Sequence, residues 1–226
     1  MNPGQEQGER AAPVDLAALE RGLRDHLDRE RGPLAWLRSR SRPARVLLLL
    51  GFAVAVAALT WLVAGRADLA TYPRTRMIAT LAWFAAAAGA AAWLALRPIY
   101  LPRPARSTTA LVLGFAVLGP LVTAVLPAAP TAAAIIAAEN LWSWAYGCFA
   151  CGVTAGLAAL LFARAVDRGG SLATGQLALA AVAAGLVGNA ALQLHCPINQ
   201  PLHLLLGHAT VPLGLLLGAL LVRRRA

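Results

Sequence analysis

Charged residues are scarce in this chain, and their scarcity excludes an ordinary soluble domain. Only 13% of the 226 residues are charged and 59% are apolar, whereas soluble domains have about 25% charged residues. Lysine is missing entirely, so all 20 basic residues are arginine and the formal net charge is +10. The composition is typical of a membrane protein, and the arginine bias indicates a GC-rich bacterial genome.

Cysteine is also rare, with three residues in the whole chain. Three cysteines cannot build the disulfide framework of a small secreted domain, which leaves thiols that act in redox or metal chemistry. The first 45 residues are polar and rich in arginine, without a short apolar run near the start. We therefore expect no cleavable signal peptide.

Long apolar runs dominate the rest of the sequence. A helix needs about 20 apolar residues to cross a bilayer, because it rises about 1.5 Å per residue. Backbone groups in lipid must be paired within the segment, which favours helices. Six runs qualify: residues 46–65, 77–96, 109–127, 141–163, 172–194 and 202–222. The sequence predicts an all-α membrane protein with six transmembrane helices.

Arginines are divided unequally between the two ends of these spans. One end has three: Arg66, Arg74 and Arg76. The other end has twelve: Arg38, Arg40, Arg42, Arg45, Arg97, Arg103, Arg106, Arg164, Arg168, Arg223, Arg224 and Arg225. Because short loops rich in arginine stay in the cytoplasm, both termini are predicted to be cytoplasmic.

The stretch LHCPINQPLHLLLGH, residues 194–208, contains one cysteine and three of the four histidines. The predicted topology makes it a tight extracytoplasmic turn between the fifth and sixth spans. The fourth span begins at the same face, with a C-x-x-C in its first turns. We predict a redox or ligand sensor at this face from these residues: Cys148, Cys151, His195, Cys196, His203 and His208.

A metal ion is one candidate ligand for this group, although no cofactor is certain. Cys148, Cys151, Cys196 and His203 would supply the four soft or borderline ligands that Zn²⁺ prefers. Alternatively, Cys148 and Cys151 pack as small apolar side chains. Cys196 lies beside an imidazole, which makes a thiol more reactive.

The two later histidines are five residues apart, about 140° around an α-helix. His203 and His208 therefore do not share a helix face unless the turn extends past His203. Each is alternatively explained as an amphipathic anchor at the membrane boundary.

Residues 13–33 predict a short amphipathic helix with Asp15 as its N-cap. Its apolar stripe consists of Leu16, Leu19, Leu23 and Leu27. The opposite face has charges of both signs, which favours docking in a protein groove over lying on a bilayer. A solvated helix without a specific role is the alternative. We divide the chain into residues 1–45, a cytoplasmic partner-binding helix with a basic linker, and residues 46–226, a six-helix sensor domain.

The aromatic sequence WSWAYGCFAC in the fourth span, the LHCP turn, the six spans and the N-terminal helix resemble the NrsF-type membrane anti-sigma factors of bacteria. Within that group the sequence is similar to the CarR-type regulators of light-induced carotenoid synthesis in myxobacteria. The resemblance implies an inhibitor, and not an enzyme, that holds an extracytoplasmic-function sigma factor at the inner membrane and releases it on an oxidative, light or metal signal. The family's paired cysteines would map onto Cys196 and one of Cys148 or Cys151.

Such release requires a change in helix packing. Oxidation or ligand binding would tie the fourth span to the final hairpin, and small-residue seams such as Gly152 and Gly156 permit neighbouring helices to slide. The expected partners are the sigma factor and membrane lipid. Direct nucleic-acid binding is not expected, because topology explains the arginines.

Two other functions fit part of the pattern. A membrane thiol oxidoreductase coupled to quinone would predict a disulfide between Cys148 and Cys151, and it leaves the leucine stripe unexplained. A transporter would need charged groups in mid-span, which are almost absent. Asn189 and Gln193 are the few polar exceptions, and we expect them to hydrogen-bond between helices.

Overall fold

All regular structure in the described part of the chain is helical. The computed structural model describes residues 15, 17, 20–22, 24, 34–98, 101–102, 104–126, 140–167 and 172–225. The chain divides into two compact units, residues 1–36 and residues 37–226. We describe each unit separately.

Six helices among the described residues are long and apolar enough to cross a membrane. The first five are α1 (Arg42–Ala64), α2 (Arg74–Ala95), α3 (Arg106–Val125), α4 (Leu141–Val166) and α5 (Thr174–His195). The sixth, α6, has three consecutive parts: Pro201–His203, a π-helical turn Leu204–Ala209, and Val211–Arg225. The predicted all-α architecture, with six helices of membrane-spanning length and composition, is confirmed for the described residues.

The helix ends extend beyond several of the apolar runs. The first three runs were predicted to start at residues 46, 77 and 109, whereas the helices start at Arg42, Arg74 and Arg106. The third helix ends at Val125, before the predicted residue 127. Arginine side chains can extend toward water or backbone carbonyls from within a helix, so a hydropathy boundary understates helix length.

Helix α5 is the centre of the bundle and contacts each of the other five long helices. Most of its side chains are buried, and they are chiefly alanine, leucine, valine and glycine, which allow close approach from several sides. The expected interhelical hydrogen bond of Asn189 is not formed within the described structure: both amide atoms are buried without a partner.

Backbones of α4 and α5 touch where glycine faces glycine. A Cβ atom added at Gly188 would collide with the carbonyl oxygen of Gly152. The absence of a side chain at both positions therefore sets the spacing of the two helices.

The arginine-rich end of the bundle is held by hydrogen bonds to carbonyls at helix ends. Arg38 donates to Ala165 O (3.1 Å), and the buried Arg45 donates to Val166 O and Leu96 O (both 3.3 Å). These bonds satisfy carbonyls that a helix C-terminus leaves unpaired. They attach the start of α1 to the ends of α2 and α4, as alternating helix directions require.

In the N-terminal unit, residues 17, 20–22 and 24 are helical. The Asp15 carboxylate accepts a hydrogen bond from the Ala17 N–H (3.0 Å), as predicted for an N-cap. Glu20 and Arg24 form an exposed ion pair one turn apart. The predicted partner-binding leucines, Leu16, Leu19, Leu23 and Leu27, lie outside the described residues.

Candidate functional site

Four buried side chains from α4, the α5–α6 link and α6 converge at the end of the bundle opposite Arg45. They are Cys148, Cys196, His203 and His208, here called the Cys/His cluster. One sulfur or ring nitrogen from each lies within 4.8 Å of the others. The four residues are spread over 61 positions of the sequence, so they come together only in the folded chain.

Cys196 is placed by the proline that follows it. Its N–H still bonds to Leu192 O (2.8 Å) at the end of α5, while its own backbone is extended (φ −86°, ψ 118°). A residue before proline is disfavoured in the α conformation, so Pro197 ends the helix there. The thiol is thereby held at the start of the link, residues 196–200, and is buried.

The π-helical turn places His203 and His208 together. Hydrogen bonding to the fifth residue along the chain replaces the usual α pattern in Leu204–Ala209. The two imidazole centroids are 5.5 Å apart in an edge-to-face arrangement. The two imidazoles are therefore not separated by the angle of about 140° that an ordinary α-helix would give. Pro212 favours this departure, because it has no N–H to offer the His208 carbonyl four residues earlier.

Gly207 brings the π-helical turn against α4. An added Cβ would lie 3.0 Å from Ala145 O and 3.3 Å from the Cβ of Cys148. Any larger residue would push the turn away from α4. The glycine thus sets the separation between the histidines and Cys148.

Hydrogen bonds link the cluster into a chain. The Cys148 thiol donates to the sulfur of Cys196 (3.5 Å), and that sulfur lies 3.3 Å from His203 Nε2. The bond from Cys148 is the main reason that the pKa of the Cys196 thiol lies well below its ordinary value, against the opposing effect of burial. The two imidazoles also lower this pKa. Cys196 is therefore the sulfur of the pair that most readily becomes a thiolate.

Three ring nitrogens in the cluster are buried without a hydrogen-bond partner: His203 Nδ1, His208 Nδ1 and His208 Nε2. Buried polar atoms are normally paired, because leaving one unpaired costs about 1–3 kcal/mol. The cluster therefore has unused donor or acceptor capacity, and one ring nitrogen of each histidine lies within 4.8 Å of both sulfurs. It can chemically form a disulfide or bind a metal ion.

Two of the predicted sensor residues lie outside the convergent set. Cys151, one turn after Cys148, is exposed whereas Cys148 is buried. Residues three apart are about 60° apart around a helix, which is enough to place Cys151 outside the buried face of α4. The His195 ring donates from Nδ1 to Ala64 O (2.7 Å), at the end of α1. The predicted metal ligands Cys148, Cys196 and His203 do converge, and His208 takes the position expected for Cys151.

Arg66 holds the α5–α6 link from outside the cluster, a role that the sequence analysis did not assign. Its side chain is 1% exposed and forms an ion pair with Asp68 (2.5 Å). It also donates to Asn199 Oδ1 (2.9 Å) and stacks on the Tyr72 ring (3.8 Å). In the sequence, Asp68 two residues after Arg66 is a signal for an ion pair. The distribution of arginines between the two ends of the spans explains Arg66 without such a role.

Arg66→Lys is expected to loosen this link. Lysine retains the charge, but its single ammonium cannot replace the planar fork that binds Asp68 and Asn199 together. A loss of about 1.4 kcal/mol would make local opening, and hence maleimide labelling of Cys196, about tenfold faster. Labelling is followed at each cysteine by mass spectrometry.

The matched control for this change is Arg74→Lys, at an exposed position. In this variant, Cys196 should be labelled by maleimide at the same rate as in the unsubstituted chain. Equal labelling of the two variants would show that Arg66 does not restrain the link.

Comparisons with protein families, curated proteins and solved structures found no match to this chain.

Proposed function

We propose that this chain is an anti-sigma factor of the bacterial inner membrane that senses an oxidative, light or metal signal at the Cys/His cluster. The N-terminal segment holds an extracytoplasmic-function sigma factor until the signal arrives. The observation that carries the proposal is the convergence of two thiols and two imidazoles at one end of a membrane-length bundle. The resemblance to NrsF-type proteins supplies the identity of the partner.

The cluster is placed on the extracytoplasmic side in this proposal. The opposite end of the bundle has the arginines that cap α2 and α4, and arginine-rich ends stay in the cytoplasm. The sensor would then face the compartment through which external oxidants and metal ions arrive. The N-terminal segment would face the cytoplasm, where sigma factors act.

Helix α4 offers a rigid route between the two sides. Cys148 lies in its second turn, and Ala165, which accepts the Arg38 hydrogen bond, lies 17 residues later. That separation is about 26 Å along a helix. A shift of α4 at the cluster would move the carbonyls that hold the start of α1, which the N-terminal segment precedes in the chain. A change of state at Cys148 is thereby transmitted to the partner-holding end.

Affinity capture from membranes of the native bacterium tests the partner. We expect the intact chain to retain a sigma factor, identified by mass spectrometry. A variant with Leu16, Leu19, Leu23 and Leu27 changed to Ser should lose it, because the apolar stripe would be gone. A matched control changes four exposed residues of the same segment to Ser: Ala17, Glu20, Arg21 and Arg24.

Capture by the control alongside loss from the leucine variant supports the proposal. Capture of no sigma factor by the intact chain would overturn it and favour the membrane thiol oxidoreductase. Equal loss from both variants would overturn the assignment of the stripe. With capture established, peroxide should release the sigma factor from the intact chain and not from Cys148→Ser or Cys196→Ser.

A further inference from the structure

We infer that the Cys/His cluster is a tetrahedral binding site for one Zn²⁺ ion, with Cys148, Cys196, His203 and His208 as its four ligands. The inference deepens the proposed sensing role by naming the ligand. Its test measures bound metal and requires no sigma factor. The two ideas can therefore fail separately.

The spacing of the donor atoms fits a tetrahedral ion. Zn²⁺ lies about 2.3 Å from sulfur and about 2.0–2.1 Å from nitrogen, which places neighbouring ligand atoms about 3.3–3.8 Å apart. The two sulfurs are 3.5 Å apart, and Cys196 Sγ lies 3.3 Å from His203 Nε2. All four ligand atoms lie within 4.8 Å of one another. Small side-chain rotations would enclose the ion without moving a helix.

The donor set selects the kind of ion. Two thiolates and two neutral imidazoles around Zn²⁺ have no net charge, which suits four residues that are each 7% exposed or less. Among the described residues no carboxylate joins the cluster. Mg²⁺ and Ca²⁺ prefer oxygen ligands, so they are disfavoured here.

The unpartnered histidine nitrogens independently indicate a missing ligand. His208 is 3% exposed, and neither of its ring nitrogens has a hydrogen-bond partner. A bond from one nitrogen to a metal ion satisfies that atom directly. The π-helical turn has the effect of bringing this imidazole, five residues after His203, onto the same side of α6.

Metal content of the purified full chain tests the site. The protein is expressed with added zinc and purified in detergent, and bound metal is measured by mass spectrometry. We expect about one zinc ion per chain, reduced to background in Cys196→Ser and in His208→Gln. Cys151→Ser and His195→Gln, outside the cluster, are the matched controls and should keep the ion.

A folding readout separates loss of the site from loss of the fold. Zinc should raise the unfolding temperature of the intact chain and of Cys151→Ser, and leave that of His208→Gln unchanged. Cobalt substitution should give the visible absorption of a tetrahedral thiolate site in the intact chain and in Cys151→Ser, and not in Cys196→Ser or His208→Gln. Zinc-free intact protein, or equal zinc in the intact chain and His208→Gln, would overturn the inference.

Discussion

Hydrogen peroxide is expected to join Cys148 to Cys196 in the reduced, metal-free protein and to leave Cys151 open to alkylation. The two sulfurs already face each other at 3.5 Å, so the bond of about 2.05 Å requires only a small approach. The two thiols lose two electrons and two protons, and peroxide is reduced to two water molecules. The lowered pKa of Cys196 makes it the sulfur that attacks first.

Alkylation followed by mass spectrometry measures the outcome. Two of the three thiols should resist alkylation until a reductant is added, and the linked peptide should contain Cys148 and Cys196. Cys151→Ser is the matched control and should form the same bond in the same yield. Cys148→Ser should form none. A peptide linking Cys148 to Cys151 would contradict the structure and restore the C-x-x-C pair as the redox centre.

Zinc and the disulfide exclude each other at this site, because both use the same sulfurs. A tetrahedral ion holds two thiolates about 3.8 Å apart, far beyond a disulfide bond. The zinc-loaded chain must therefore release its ion before Cys148 and Cys196 join. In the proposed function, loss of zinc and arrival of oxidant would therefore act on the same two sulfurs.

The spans could be predicted closely from hydropathy, because the bilayer imposes one physical requirement on every crossing segment. The exact residues at which the helices begin and end could not be predicted from hydropathy. Arg45 lies at the arginine-rich end, yet its buried hydrogen bonds to Val166 and Leu96 depend on the packing of three helices. A sequence pattern contains no information about those long-range contacts.

The site was predictable only in part, and each departure has a local cause. Topology alone places Cys148, Cys196 and His203 at one end of the bundle. The proximity of His208 to His203 depends on a π-helical turn. In an ordinary α-helix, residues five apart would be about 140° apart and would not share a face. The exclusion of Cys151 depends on which face of α4 turns inward, and that is decided by glycine contacts such as Gly207 against Ala145.

Gly188→Leu is expected to prevent the bundle from assembling. Even a single added carbon at Gly188 collides with the backbone carbonyl of Gly152, which cannot rotate away. The leucine would have to force α4 from the central helix α5, and overpacking of this kind costs about 1–3 kcal/mol or more. The expected result is loss of the monodisperse, heat-stable form in detergent. Gly51→Leu is the matched control, since an added carbon there meets nothing within 4 Å.

The milder pair Gly188→Ala and Gly51→Ala links this contact to the cluster. Gly152 lies one turn after Cys148 on α4, and Gly188 lies eight residues before Cys196. Separating the two glycines must therefore separate the two sulfurs. Gly188→Ala should lower both the unfolding temperature and the yield of the Cys148–Cys196 disulfide. Gly51→Ala should preserve the yield and, through the better helix propensity of alanine, the stability. Equal yields in the two variants would mean that the α4–α5 contact does not set the geometry of the Cys/His cluster.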